Sequence, residues 1–309
     1  MFAQVKRHFS SRGAAFLNFL VNLLAVCASL AVVGGCAPLA SQPWVINVAW
    51  VSQDKIYLLR EIRSDSVELW LREAGRERKL ASNADVPGHC GPLDFLFAVK
   101  PGTLGLAMAC DGFTRLVSFS GTTGTFASLL DVPSAASVAL ADDGRASYIG
   151  TGRNGCWAIQ PLGEARISYS IDWEEYSCQS GKSAKSPVLV GENGVVFLAA
   201  NGLPPEQPVR DERRGWRLMI TSQAGRGAEP VGPELHGLPD LALVPGGGKA
   251  VVATSFDGSG AVLEIDLRSG QSRRVYRAQG VALSPSVSPD GKRVAFVGGG
   301  RQLIVKELS

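Results

Sequence analysis

The residues best able to do chemistry are few. Apart from His8 near the start, the histidines are His89 and His236. Neither has a second histidine or a carboxylate nearby at metal-ligand spacing, so both read as structural or surface residues. Gly150-Thr151-Gly152-Arg153-Asn154-Gly155 matches a dinucleotide-binding Gly-x-Gly-x-x-Gly, but that motif must open a helix. Here Cys156-Trp157-Ala158-Ile159 follows, a strand-like run, so the glycines read as a hairpin turn. No Gly-x-Ser-x-Gly elbow occurs. The sequence therefore points to no catalytic residue, metal ligand or cofactor.

The six cysteines carry more information. Cys27 and Cys36 lie in or beside an apolar N-terminal run; Cys90, Cys110, Cys156 and Cys178 lie in the body. An even set in an oxidising compartment points to two disulfides, with three pairings open. That compartment follows from the N-terminus. Lys6, Arg7 and Arg12 precede an almost wholly apolar stretch, Ala14 to Val33, and then Val33-Gly34-Gly35-Cys36. A charged head, an apolar run and a small-residue site make a secretory signal over 1–35. The ending resembles the lipobox of bacterial lipoproteins, which implies that Cys36 is lipidated and becomes the first mature residue. An uncleaved membrane anchor is the competing reading, against which Asn18 and Asn22 interrupt the run. Three of the 31 basic residues and none of the 28 acidic ones precede Cys36, leaving 28 against 28. That balance offers no basic field for nucleic acid.

The elements that position these residues repeat. Ser284 to Val297 reads strand, tight turn, strand, with Pro289-Asp290-Gly291 supplying the turn. Weaker copies centre on residues 54, 102, 144, 194 and 248, roughly 42 to 54 residues apart, close to the period of propeller blades. Third and fourth apolar strands follow most copies, and no long stretch shows a helical period. The expected fold is all-β, a six-bladed β-propeller of four-stranded blades over 46–309, preceded by the signal segment. Ser288-Pro289-Asp290-Gly291-Lys292-Arg293-Val294-Ala295-Phe296 is similar to the PD40, or TolB-like, propeller repeat. The resemblance covers the propeller only, so the partners of TolB do not carry over. The last blade is one strand short, and residues 37–45, within a tether at 36–45, are expected to supply it despite Pro38 and Pro43.

In such blades one face, here called the bottom, carries the turns between strands one and two and between strands three and four. The top carries the turns between strands two and three and the links between blades. This topology puts Cys90 beside Cys110, and Cys156 beside Cys178, at the top. Each pair would close a loop of about twenty residues, contributing roughly 3 kcal/mol. Two insertions also map there. One, 170–185, contains Trp173, Glu174, Glu175 and Tyr176. The other, 201–215, contains Arg210, Arg213 and Arg214, with Trp216 just after. Rigid loops bearing Trp, Tyr and Arg have the composition of protein-binding hot spots; solvated charged loops are the plainer alternative. The expectation is a non-enzymatic scaffold in the bacterial envelope. It is held by lipid at Cys36, on the outer membrane facing the periplasm, with envelope proteins as partners. The alternative is a small-ligand or glycan-binding propeller, extending to a metal-dependent hydrolase or lactonase, for which Asp94 and Asp240 at the channel mouth are the available carboxylates.

Overall fold

The structure, a computed structural model, describes residues 43–100, 103–133, 135–140, 146–153, 156–161, 182–190, 194–201, 215–221 and 227–309. The strands form six antiparallel sheets. Blade one is β1 (Trp44–Ser52), β2 (Lys55–Arg63), β3 (Ser66–Glu73) and β4 (Arg76–Ser82). Blade two is β5 (Leu93–Lys100), β6 (Thr103–Ala109), β7 (Phe113–Ser120) and β8 (Thr125–Pro133). Blade three is β9 (Ser137–Leu140), β10 (Ala146–Arg153) and β11 (Cys156–Pro161). Blade four is β12 (Lys182–Val190), β13 (Gly194–Asn201), β14 (Trp216–Thr221) and β15 (Ala228–Leu235). Blade five is β16 (Asp240–Leu243), β17 (Lys249–Phe256), β18 (Ser259–Asp266) and β19 (Ser272–Gln279). Blade six is β20 (Val281–Val287), β21 (Arg293–Gly299) and β22 (Gln302–Glu307).

The first strand of each blade touches the first strand of the next, and β20 returns to β1, so the ring is closed. A radial sheet packs against a neighbour on both faces. Its second strand is therefore buried on both sides and reads as a continuous apolar run rather than an alternating one. In β2, Ile56 and Leu58 enter a cluster with Ala295 and Val297 of blade six. Tyr57 and Leu59, between them in sequence, enter another with Leu104, Leu106 and Met108 of blade two. Each of the six interfaces between blades holds its own apolar cluster.

Polar side chains tie the inner strands across those interfaces. Ser284 N–H donates to Asp240 Oδ2 at 3.1 Å, joining blades five and six. Asn47 Nδ2 donates to Ser284 Oγ at 3.1 Å, joining blades six and one. Leu96 N–H donates to Asn47 Oδ1 at 3.2 Å, joining blades one and two. Trp50 N–H adds a bond to Ser286 Oγ at 2.8 Å. Ser284 sits at a bulge with φ +49°, uncommon for a non-glycine residue. Ser186 of β12 has φ +52° at the matching bulge, and a proline follows each serine.

The turn in the last blade completes the seam. Ser288 Oγ donates to Asp290 Oδ1 and accepts from Arg293 N–H, closing the turn on itself. Its outward groups reach blade one. Gln53 Nε2 donates to Asp290 Oδ2, Arg293 Nη2 donates to Gln53 O at 3.1 Å, and the guanidinium lies 4.8 Å over the Trp50 ring. These bonds, first those from Ser288, Lys292 N–H and Gln53, lower the Asp290 pKa to about 2.

Two expectations change. Trp44 and Val45 belong to the inner strand of blade one, because the β1–β2 ladder already begins at the pairing of Trp44 with Glu61. They therefore do not form an outer strand of blade six; residues 37–42 lie outside the described residues. Lys182 to Lys185, expected in a loop, form the start of β12, where Ser183, Ala184 and Lys185 are buried.

At the bottom rim between blades five and six, Glu264 is 4% exposed. It accepts from Lys249 Nζ at 2.8 Å, Arg273 Nη2 at 2.6 Å and Ser309 Oγ at 3.1 Å. Burial alone would raise its pKa, but these donors outweigh it and the net direction is down. The carboxylate is shielded by its partners rather than by depth, since both cations reach solvent.

Two predictions test these ties. Asn47→Ala should lower stability by about 2 kcal/mol in urea unfolding, because it strands a backbone donor and a hydroxyl across two interfaces. A loss no larger than that of Ser118→Ala, whose bond is exposed, would show that the inner-strand bonds are incidental. Glu264→Gln should cost about 1–2 kcal/mol at neutral pH. A folded pKa below the unfolded one stabilises above the unfolded value and is lost as pH falls through the folded value. The wild-type advantage should therefore shrink as pH drops below 4.5, and a pH-independent difference would refute the charged role.

Candidate interaction face and channel mouth

The two faces of the propeller differ in chemistry. Among the described bottom turns, those at Ser120 and Asp266, like that at Ser288, close on their own polar groups. Asp266 Oδ1 accepts from the N–H groups of Arg268 and Ser269 and from Ser269 Oγ, and Ser120 Oγ accepts from Thr123 N–H. At the top, large apolar side chains are left in solvent. Trp44 is 52% exposed, Ile62 41% and Phe256 42%. Each stands where a strand starts or ends on that face. The other large apolar side chains that are exposed among the described residues, Leu129, Leu130 and Val305, lie within strands on the outer edges of blades. Arg301 lies 5.0 Å over the Trp44 ring, and Val45 N–H donates to Arg301 O at 3.0 Å. The His236 ring lies 5.7 Å from that of Phe256, and its backbone oxygen accepts from Thr254 Oγ1. Glu234 beside them is 3.6 Å from Arg217.

The cysteines hold the same face of blade two. Cys90, before β5, is bonded to Cys110, just after β6, with Cα atoms 5.2 Å apart. Arg115 secures the segment between blades one and two: it forks onto Asp131 at 2.9 Å twice and also donates to Gly88 O. His89 Nε2 accepts from Asn83 Nδ2 at 3.0 Å, while Asn83 Oδ1 accepts from Val67 N–H, so this histidine is a structural acceptor. Cys156 opens β11, and β10 pairs with β11 in an antiparallel hairpin, so the Gly-x-Gly run leads into a strand. Cys36, Cys178, Trp173, Glu174, Glu175, Tyr176, Arg210, Arg213 and Arg214 lie outside the described residues.

Trp216 is corrected. It is fully buried, in a cluster with Leu218, Leu235, Val196 and Leu198, so it presents no ring to a partner. It faces Lys185, whose ammonium sits 4.7 Å over the Trp216 ring and 5.1 Å over Trp157. The negative faces of two rings thus lie against a lysine that is 5% exposed. Sequence reasoning missed this cation because nothing local marks it. Lys185 lies in a segment that reads as a loop, and its rings come from β11 and β14.

At the channel mouth, Asp240 is engaged by Ser284 as described. Asp94 differs. It stands at a bulge near the start of β5, in reach of solvent, yet the protein crowded around it raises its pKa by desolvation. Among the described residues, no hydrogen bond or ion pair reaches it. Among the described residues, no three His, Cys, Asp or Glu side chains are grouped to hold a metal ion. Nor is any helix among them long and apolar enough to cross a membrane.

No family model and no curated protein matches the chain. Many solved structures do. The tricorn protease superposes with a TM-score of 0.56 at 15% identity over 85% of this chain and 25% of its own. TolB from Acinetobacter baumannii gives 0.54 at 14% identity over 85% and 65%. A protein from Agrobacterium tumefaciens assigned as a TolB gives 0.52 at 13% over 87% and 92%. The chain thus spans a quarter of the first protein and about two thirds of the second. At these identities the likeness is one of fold. The chain folds as a TolB-like six-bladed β-propeller.

Proposed function

We propose that the protein is a non-enzymatic binding or scaffold module of the bacterial envelope, anchored by lipid at Cys36, whose top face engages protein partners. The carrying observation is the asymmetry of the faces. Among the described residues, exposed Trp44, Ile62 and Phe256 sit at the top, while the bottom turns at Ser120, Asp266 and Ser288 carry polar bonds closed within the turn. Scattered apolar side chains are ordinary on a surface. Their occurrence on the face that also holds the Cys90–Cys110 bond, and to which the sequence pattern assigns the Arg210 to Arg214 insertion, favours recognition there. A TolB-like propeller fits a protein-binding module. The lipid anchor and the envelope location rest on the signal and Cys36, and the outer-membrane assignment on Ala37 directly after it.

The test is crosslinking of the native membrane-bound protein, with mass spectrometry of what co-purifies. A top variant, Arg210→Ala/Arg213→Ala/Arg214→Ala with Phe256→Ser, is compared with a bottom variant, Arg268→Ala. Loss of a reproducible envelope partner in the top variant alone supports the reading. No partner at all, or equal loss in both variants, overturns it.

Asp94 favours a second reading, a cationic ligand at the channel mouth. A carboxylate left charged in a crowded site lowers stability unless something pairs with it. Its folded pKa lies above 3.8, so the folded state gains stability as pH falls through that window. Asp94→Asn should therefore raise Tm at neutral pH, with the gain closing on acidification. Added calcium chloride should raise Tm in the wild type and not in Asp94→Asn. No calcium effect in either protein would remove this reading.

A further inference from the structure

The fourth, outermost strand of a blade has one free edge, and proteins blunt such edges with charge or proline. Three of the four fourth strands described here follow that rule. β4 carries Arg76, Glu77, Arg78 and Lys79 in succession. β15 carries Pro230 and Pro233 with Glu229 and Glu234. β19 carries Arg273, Arg274 and Arg277. The fourth strand of blade two, β8, does not follow it. Its sequence is Thr-Phe-Ala-Ser-Leu-Leu-Asp-Val-Pro, and seven of its nine residues are exposed. Leu129 and Leu130 are 39% and 46% exposed. Its single charge, Asp131, is already neutralised by the two-pronged bond from Arg115. Its one proline, Pro133, stands at the end of the strand.

We propose that β8 is a self-association edge, on which a second copy of the chain pairs its own β8 in antiparallel fashion about a two-fold axis. Three features favour a copy of this chain over another partner. An antiparallel strand pair is self-complementary by symmetry, so each copy offers the other the same donors, acceptors and leucines. The neutralised Asp131 removes the like-charge repulsion that would otherwise oppose two identical edges. Arg115 also donates to Gly88 O and lies 5.4 Å over the Phe113 ring, so the neutralising cation is held in place rather than free to swing away. The described fourth strands all carry a bulge, at Leu129 in β8, and among them only β8 lacks both a run of charge and an internal proline. Pairing therefore consumes the edge of each copy and stops at two, rather than propagating as an open array. The paired surface is one strand wide, so the dimer is weak and dissociates on dilution. Because the strands are antiparallel, the pairing places the two channels side by side with their top faces pointing in opposite directions.

The test is mass measurement by light scattering of the full chain in mild detergent across a hundredfold range of concentration. The wild type should pass from monomer to dimer. Leu130→Lys and, separately, Leu129→Lys should remain monomeric over the same range with unchanged far-ultraviolet circular dichroism. Val305→Lys, on the edge of blade six, should dimerise as the wild type does. A wild type that is monomeric throughout overturns the proposal. So does a dimer insensitive to both leucine variants, or growth to large species instead of a closed dimer. If the leucine variants lose their circular dichroism, Thr125→Lys at the exposed strand end serves as the second variant and should weaken the dimer.

Discussion

Closing the ring is the constraint on which everything else depends. A propeller has one place where its last blade must find its first, and here side chains make that join together with the backbone bond from Val45 N–H to Arg301 O. Asp290 and Arg293 reach Gln53 and Trp50, while Asn47 and Ser284 meet deeper in the channel wall. The apolar cluster beneath them, built from Val48, Trp50, Leu58, Ala295 and Val297, supplies the burial. The polar bonds fix the register in which that burial occurs. Neither would suffice alone, because an apolar interface without register lets blades slide, and exposed polar bonds contribute little net free energy.

Much of this was legible in the sequence. Turn chemistry at Asp54, Gly248 and Pro289 to Gly291 repeats at blade spacing, and each of these turns joins the first two strands of a blade. What was not legible depends on contacts distant in sequence. Trp216 follows a charged insertion and reads as part of it, but its strand turns the ring inward onto Lys185. The first residues of β12 look polar, yet β13 and its neighbours cover them. The start of β1 reads as a tether because Pro43 precedes it, although Trp44 already pairs with Glu61. In each case a local composition signal yields to tertiary pairing, which is where β propensity is weakest as a guide.

The division of labour between the faces follows from the same geometry. Turns between first and second strands are short and recur at every blade, so they can be closed locally by Asp, Ser and Gly. Links between blades and the turns between second and third strands vary in length, and insertions accumulate there without disturbing the ring. The disulfide, the Arg115 clamp and the exposed aromatics all sit on that variable side. A rigid scaffold carrying variable loops is the usual physical basis for recognition, and the top face has that form.

The run of bonds from Asp240 through Ser284 and Asn47 to the amide of Leu96 has one more consequence. It crosses three blade interfaces in succession, including the seam. A linear repeat protein loosens from its ends, since a terminal repeat has only one neighbour. Here the first and last blades each have two, so the molecule has no end from which to fray. Loss of any one interface opens the circle and weakens the others, which turns a set of separate blade contacts into a single cooperative unit.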